Sequence, residues 1–161
     1  MLPTLRGIYG LFFSTPPGAV PTDGCYVRDG LMLLYIGTAG SDLRKNGTLR
    51  TRLGDHHLGG NERRSTVCQT LAALLPNIAG PAIAKNERGN IKLHTSKDGV
   101  MRLRQWMDEN IAACWIDFQR PADLEVKLVN QYAPPLNIDF CPHPFVSQLK
   151  VLRSRRRKTC E

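Results

Sequence analysis

The chain has 161 residues, 42% of them hydrophobic, and a formal net charge of +8. That is the length of one domain able to bury a core without staples, and five scattered cysteines (Cys25, Cys68, Cys114, Cys141, Cys160) with no C-x-x-C pair argue against a disulfide framework or a zinc cage. No apolar stretch approaches the roughly eighteen residues of a membrane span, and "MLPTLRGIYG" has no basic segment followed by an apolar one, so a reduced, cytoplasmic protein without a membrane partner is expected.

In chain order, "GIYGLFFS" and "LMLLYIGTA" are short, apolar runs of strand type, separated by the Pro- and Gly-rich "TPPGAVPTDGCYVRDG". The "RDG" before the second run is a hairpin-type turn, which predicts an antiparallel pair. "GTLRTRLGDHHLGG" predicts a short helix closed by glycines. "STVCQTLAALLPNIAG" predicts a firmer one, with Ser65 as N-cap and Val67, Leu71, Leu74 and Leu75 on its core side. "SKDGVMRLRQWMDENIAA" adds a helix with Ser96 near its start, and "CWIDFQ" alternates like a third strand. "PADLEVKLVNQYAPPLN" is a helix opened by Pro121 and stopped by paired prolines. The expected class is α+β, with an antiparallel pair and a third strand covered by helices in one domain, residues 1–149, followed by a basic tail, residues 150–161.

Glu125 stands out on the last of these helices. Wound at about 100° per residue with Leu124 at zero, Leu128 falls at about 40°, Tyr132 at about 80°, Glu125 at about 100° and Val129 at about 140°. A carboxylate inside an apolar arc is costly unless paired or holding a metal, so Glu125 either meets an arginine or ligates a cation. In "TLRTRLGDHH", Arg52 and His56 are four apart and share a face beside Leu49 and Leu53. Taken singly, Arg52 reads as an exposed helix cation and His56 as a hydrogen-bonded histidine at the core's edge. Together with two strand tyrosines they suit phosphate chemistry: arginine grips phosphate, a carboxylate holds magnesium, and phenol or imidazole handles a water's proton.

Charge is uneven. Residues 150–161 hold Lys150, Arg153, Arg155, Arg156, Arg157 and Lys158 against Glu161, a net +5, while the other 149 residues carry +3. Such a segment is either a solvated terminus or an electrostatic footprint for nucleic acid.

With Gly7-Ile8-Tyr9, Tyr35-Ile36-Gly37, "LRTRLGDHH" and "LEVKLVNQYAPPLN" in order over residues 7 to 137, the chain resembles the GIY-YIG nucleases. The resemblance implies a small central antiparallel three-stranded sheet flanked by helices, in an endonuclease that cleaves DNA phosphodiesters with one divalent metal, magnesium or manganese, and no organic cofactor. It assigns Tyr9 as general base or water-orienting phenol, Tyr35 as its partner at the scissile phosphate, and Arg52 as the stabiliser of transition-state charge. It assigns His56 to proton handling with Tyr9, Glu125 as the metal's sole protein ligand, and Asn137 as a supporting asparagine. Thr38 stands where many relatives have lysine. The connection through "TAGSDLRKNG" is longer than in compact members, and residues 58–112 read as a helical insertion. Another reading on the same fold is a nucleic-acid-binding module without catalysis. A zinc protein built on Cys141 and His143 lacks a second ligand pair.

Overall fold

The structure, a computed structural model, describes residues 2–40, 47–58, 65–87 and 90–158. Part of the long connection after Tyr35 (residues 41–46) and the last three residues of the basic segment lie outside them.

Three strands open the chain: β1 (Gly7–Phe13), β2 (Val27–Arg28) and β3 (Leu31–Ala39). The turn between β2 and β3 is Asp29-Gly30, with φ of 51° and 77°. Two successive positive φ values are what a two-residue hairpin of matching twist requires. A nine-residue π-helix (Arg50–Leu58) follows, then α1 (Thr66–Leu74) and the single turn α2 (Pro76–Ala79). A hairpin of β4 (Ala82–Glu87) and β5 (Asn90–Thr95) leads into α3 (Lys97–Asn110), β6 (Ile111–Asp117), α4 (Pro121–Tyr132) and α5 (Phe145–Lys158).

The main sheet is antiparallel, with order β2-β3-β1-β6, and β4-β5 form a separate two-stranded ribbon. The α+β class and the flanked antiparallel sheet agree with the sequence, but the two-residue β2 gives the sheet four strands in place of three. The stretch 58–112 is not purely helical, because it also carries the β4-β5 ribbon. Lysine- and asparagine-rich strands such as "AIAKNE" and "NIKLHT" have weak strand propensity, which hid them.

Both faces of the central β1-β3 pair are covered, whereas β2 and most of β6 are exposed. On one, Tyr9, Leu11, Phe13, Leu34 and Tyr35 join Leu49 and Leu53 of the π-helix region, Val67 and Leu71 of α1, Leu103 and Met107 of α3, and Phe145 and Leu149 of α5. On the other, Ile8, Leu33 and Ile36 meet Val129, with Leu124, Leu128 and Tyr132 of α4 around them. Ser65 caps α1 by accepting from the Cys68 amide at 3.0 Å, Ser96 caps α3 by accepting from the Gly99 amide at 3.0 Å, and Pro121 opens α4. After Tyr132 the chain leaves α4 through Ala133, left-handed at φ 43°.

The boundary expected between residues 149 and 150 falls inside α5. Phe145 and Leu149 are buried, and Leu152 packs partly against the same core, so the apolar stripe continues past position 150. Arg156 donates to the Gly80 carbonyl at 2.9 Å and to Thr95 Oγ1 at 3.0 Å, and Arg153 donates to Gln69 Oε1. The basic segment is thus largely the outer half of a packed helix. Among the described residues, no helix is long and apolar enough to cross a membrane.

Candidate active site

The mirrored tripeptides meet through strand register. β1 and β3 pair with Tyr9 opposite Gly37 and Leu11 opposite Tyr35, and the ladder shifts between Leu11 and Phe12 because Leu34 is an extra residue in β3. Strict alternation would send Leu34 and Tyr35 to opposite faces. The bulge turns both into the core that holds Tyr9, so the tyrosine rings lie 6.3 Å apart between centroids, tilted by 34°.

Glycine makes this pairing feasible at two points. A Cβ on Gly37 would run into the Tyr9 hydroxyl and lie 2.6 Å from Tyr9 Cζ and 2.8 Å from Tyr35 Cε1. A Cβ on Gly7 would strike the Ile116 carbonyl of β6. Neither obstacle can yield without moving a ring of the site or a strand backbone.

The π-helix delivers the next two groups. His57 is fully buried, and its Nε2 lies 2.5 Å from the Tyr9 hydroxyl. Its ring centroid is 5.5 Å from that of Tyr9 and 6.0 Å from that of Tyr35. The other nitrogen, Nδ1, is 2.5 Å from Ser65 Oγ, the hydroxyl that caps α1. Because a hydroxyl can donate or accept, both imidazole nitrogens stay bonded in either neutral tautomer. Arg52 also hydrogen-bonds the Tyr9 side chain, and its charge is felt by Tyr35 and Glu125.

The histidine on Tyr9 is therefore His57, where the sequence reading placed His56. The His56 side chain lies outside the described residues. At α-helical winding His57 sits about 140° from Arg52 and beside Leu53, the position of a core residue. The i→i+5 bonding of a π-helix widens each turn and brings the fifth residue on closer to the first. Arg52 and His57 thereby converge on one hydroxyl.

Glu125 is half-buried, as its place in the apolar arc of α4 required. Thr38 Oγ1 donates to its Oε2 at 3.2 Å, so the threonine in the usual lysine position holds the carboxylate. Asn137 spends both ends of its amide on one residue of β3: Oδ1 accepts from the Ile36 amide at 2.9 Å, and Nδ2 donates to the Ile36 carbonyl at 2.8 Å. Leu136 adds a bond from its amide to the Leu34 carbonyl at 3.0 Å. This segment acts as a strip of strand on the edge of β3 beside Tyr35, which makes Asn137 a positioning residue.

Electrostatics follow from burial. Tyr9 is held well above the ordinary phenol pKa, chiefly by desolvation and then by Tyr35, against the pull of Arg52. Burial pushes Tyr35 up to about 12, again opposed by Arg52. Burial also raises Glu125, against the Thr38 hydrogen bond and Arg52, while nearby Asp139 adds to the rise. At neutral pH both tyrosines are neutral phenols. The ionised form of Glu125 gains from any added cation.

Of the residues singled out from sequence, Tyr9, Tyr35, Arg52 and Glu125 come together, and Asn137 braces them. The cations of α5 divide. Arg153 is half-buried and shares the field of Tyr35 and Asp139, Arg156 is tied to Gly80 and Thr95, and Lys150, Arg155, Arg157 and Lys158 are exposed or nearly so. His57, Ser65 in its contact with His57, Thr38 as a carboxylate partner, and Asp139 are additions from the structure. Cys141 and His143 serve the backbone: Cys141 Sγ donates to the Pro134 carbonyl at 3.3 Å, and His143 Nδ1 accepts from the Phe145 amide at 3.1 Å. No group of three or more potential metal-binding side chains occurs among the described residues.

The family model for the GIY-YIG catalytic domain matches residues 7–158, nearly the whole chain and all of the site. No curated protein and no solved structure matches.

Proposed function

Because the chain belongs to the GIY-YIG family of nuclease-type catalytic domains, we propose that it is a divalent-metal-dependent endonuclease that hydrolyses DNA phosphodiester bonds. The observation that carries this reading is the convergence of His57 and Arg52 on the Tyr9 hydroxyl, with Tyr35 and Glu125 alongside. An isolated buried phenol is a poor base, since its phenolate is disfavoured by burial. A phenol hydrogen-bonded to imidazole can nevertheless take a proton as it gives one away. A water attacking phosphorus passes its proton to the Tyr9 oxygen while the Tyr9 proton moves to His57 Nε2, with Nδ1–H donating to Ser65 Oγ. His57 in this role replaces His56.

Arg52 faces the charge that grows on the non-bridging oxygens as the pentavalent transition state forms, a stabilisation of the oxyanion-hole type. Tyr35 supplies a neutral O–H donor to the same phosphate. The P–O bond to the leaving sugar oxygen breaks, its electron pair stays on that oxygen, and the oxygen then takes a proton from solvent water. On the polarity implied by the resemblance, the products are a 5′-phosphate and a 3′-hydroxyl.

The donor set fits a hard cation. Magnesium needs only one or two carboxylates when waters and substrate phosphate fill the remaining positions, and Glu125 offers a half-buried carboxylate destabilised by desolvation. Glu125 would hold magnesium or manganese, which when bound supplies charge neutralisation at the leaving oxygen. Purified protein incubated with supercoiled, linear, branched and single-stranded DNA should cut at least one substrate with magnesium and none in EDTA. Binding without cleavage under every condition would instead identify a module that holds nucleic acid without catalysis.

A further inference from the structure

A pocket of about 390 Å³ opens between the N-terminus of α1 and helix α5, lined by Thr66, Asp139, Lys150, Arg153, Ser154 and Arg157 among others. Positions 150, 153, 154 and 157 recur at helical spacing and so share one face of α5. Three cations confront a single carboxylate, and neither Lys150 nor Arg157 has an ion-pair partner among the described residues. Arg153 is half-buried, and burial first and the neighbouring Arg157 charge second disfavour its protonated form, a cost that an anion in the pocket would offset. Thr66 is the first residue of nine-residue α1, where the Ser65 cap already takes the Cys68 amide and the helix dipole favours negative charge at the same place. The pocket adjoins the active site: Asp139 lies two residues beyond Asn137, which is bonded to Ile36 of β3, and Arg153 shares the field of Tyr35.

We infer that this pocket is a subsite for a second phosphate of the bound nucleic-acid strand, gripped jointly by Lys150, Arg153 and Arg157 beside the scissile one. The inference rests on the nuclease reading. It gives the α5 cations different roles, since Arg156 fastens the helix, and Arg155 and Lys158 do not line the pocket. Cations that share one phosphodiester are coupled: the first substitution already loosens the contact, so a second adds little.

The test is DNA binding in EDTA, as a function of salt, for wild type, Lys150→Gln, Arg157→Gln and the double variant, with circular dichroism confirming the fold. One shared phosphate predicts that each single variant flattens the slope of log affinity against log salt by about 0.9 for duplex, that the double variant flattens it no further, and that affinity falls about tenfold. Inorganic phosphate titrated into the wild type should shift the Thr66 amide resonance saturably, and the double variant should abolish the shift. Unchanged slopes, or additive losses of about 1.8 in the double variant, would overturn the subsite even if free phosphate binds, while DNA binding and cleavage by the wild type leave the nuclease reading standing. Wild type that neither binds nor cleaves DNA would remove both.

Discussion

The β1-β3 centre and the outer face of α5, the two regions to which we assign phosphate, are built on opposite rules. At the centre, Tyr9 is 1% and His57 0% exposed, and the polar atoms form a closed chain from Tyr9 through His57 to Ser65 and the Cys68 amide. On α5, Lys150, Arg155, Arg157 and Lys158 lie towards solvent. A buried and satisfied chain fixes atoms in place, at the cost of desolvation, and so suits bond-making. An open cationic face gains from any nearby polyanion and is built for binding. Substitutions at the centre should therefore act on the rate at saturating DNA, and those on α5 on affinity and its salt dependence.

The sharpest way to break that division is Glu125→Gln. Cleavage should become undetectable while DNA affinity in EDTA stays near wild type. Because desolvation raises the Glu125 pKa, the folded metal-free protein disfavours the ionised form, and this loss of stability sets in as pH rises through the unfolded value and is complete above the folded pKa. The glutamine variant should then melt higher than metal-free wild type at pH 7. Magnesium should raise the melting temperature of wild type alone. Thermal melts with and without the metal check this, and magnesium-independent melting of the wild type would speak against Glu125 as its ligand.

Next in size is Arg52→Ala, for which a loss of roughly a hundredfold or more in single-turnover rate is expected with only modest loss of binding. Equal small losses of rate and affinity would move Arg52 into the class of the α5 cations. Replacing the adjacent histidines separately sharpens the comparison further. His57→Gln should cost about a hundredfold in rate, whereas His56→Gln should stay within about twofold of wild type, a range too narrow for general-base loss. The reverse order would restore the assignment made from sequence.

The smallest effect concerns pH. With the Tyr35 phenol raised to about 12, the unfolded chain gives up that proton near the ordinary value of about 10 while the folded chain keeps it. Stability from this group is complete below about pH 10 and falls between pH 10 and 12. Denaturant melts across that interval should show a shallower decline for Tyr35→Phe than for wild type.

Much of this was legible in the chain. Both tyrosine strands, the caps Ser65 and Ser96, Pro121 and the inward-facing Glu125 follow from period and capping rules, since each depends on a few neighbours in sequence. His57 did not, because a wheel at fixed pitch cannot know that the helix carrying Arg52 is wound wide. Nor did the bulge at Leu34: an extra residue in a strand appears only against its partner's register. Thr38 read as a missing lysine because its partner, Glu125, lies 87 residues away. The basic segment looked like a tail because its composition is charged, yet Phe145, Leu149 and Leu152 already held the stripe that packs it.

Everything at the centre turns on one oxygen atom, the Tyr9 hydroxyl, which Tyr9→Phe deletes with little change of shape. Single-turnover cleavage at saturating DNA and magnesium, compared between wild type and this variant, is the most direct measurement. A rate reduced by roughly a hundredfold or more, with DNA affinity unchanged, is the predicted result. Cleavage at the wild-type rate by correctly folded Tyr9→Phe would contradict the mechanism, because the hydroxyl on which His57 and Arg52 converge would then have no part in the chemistry.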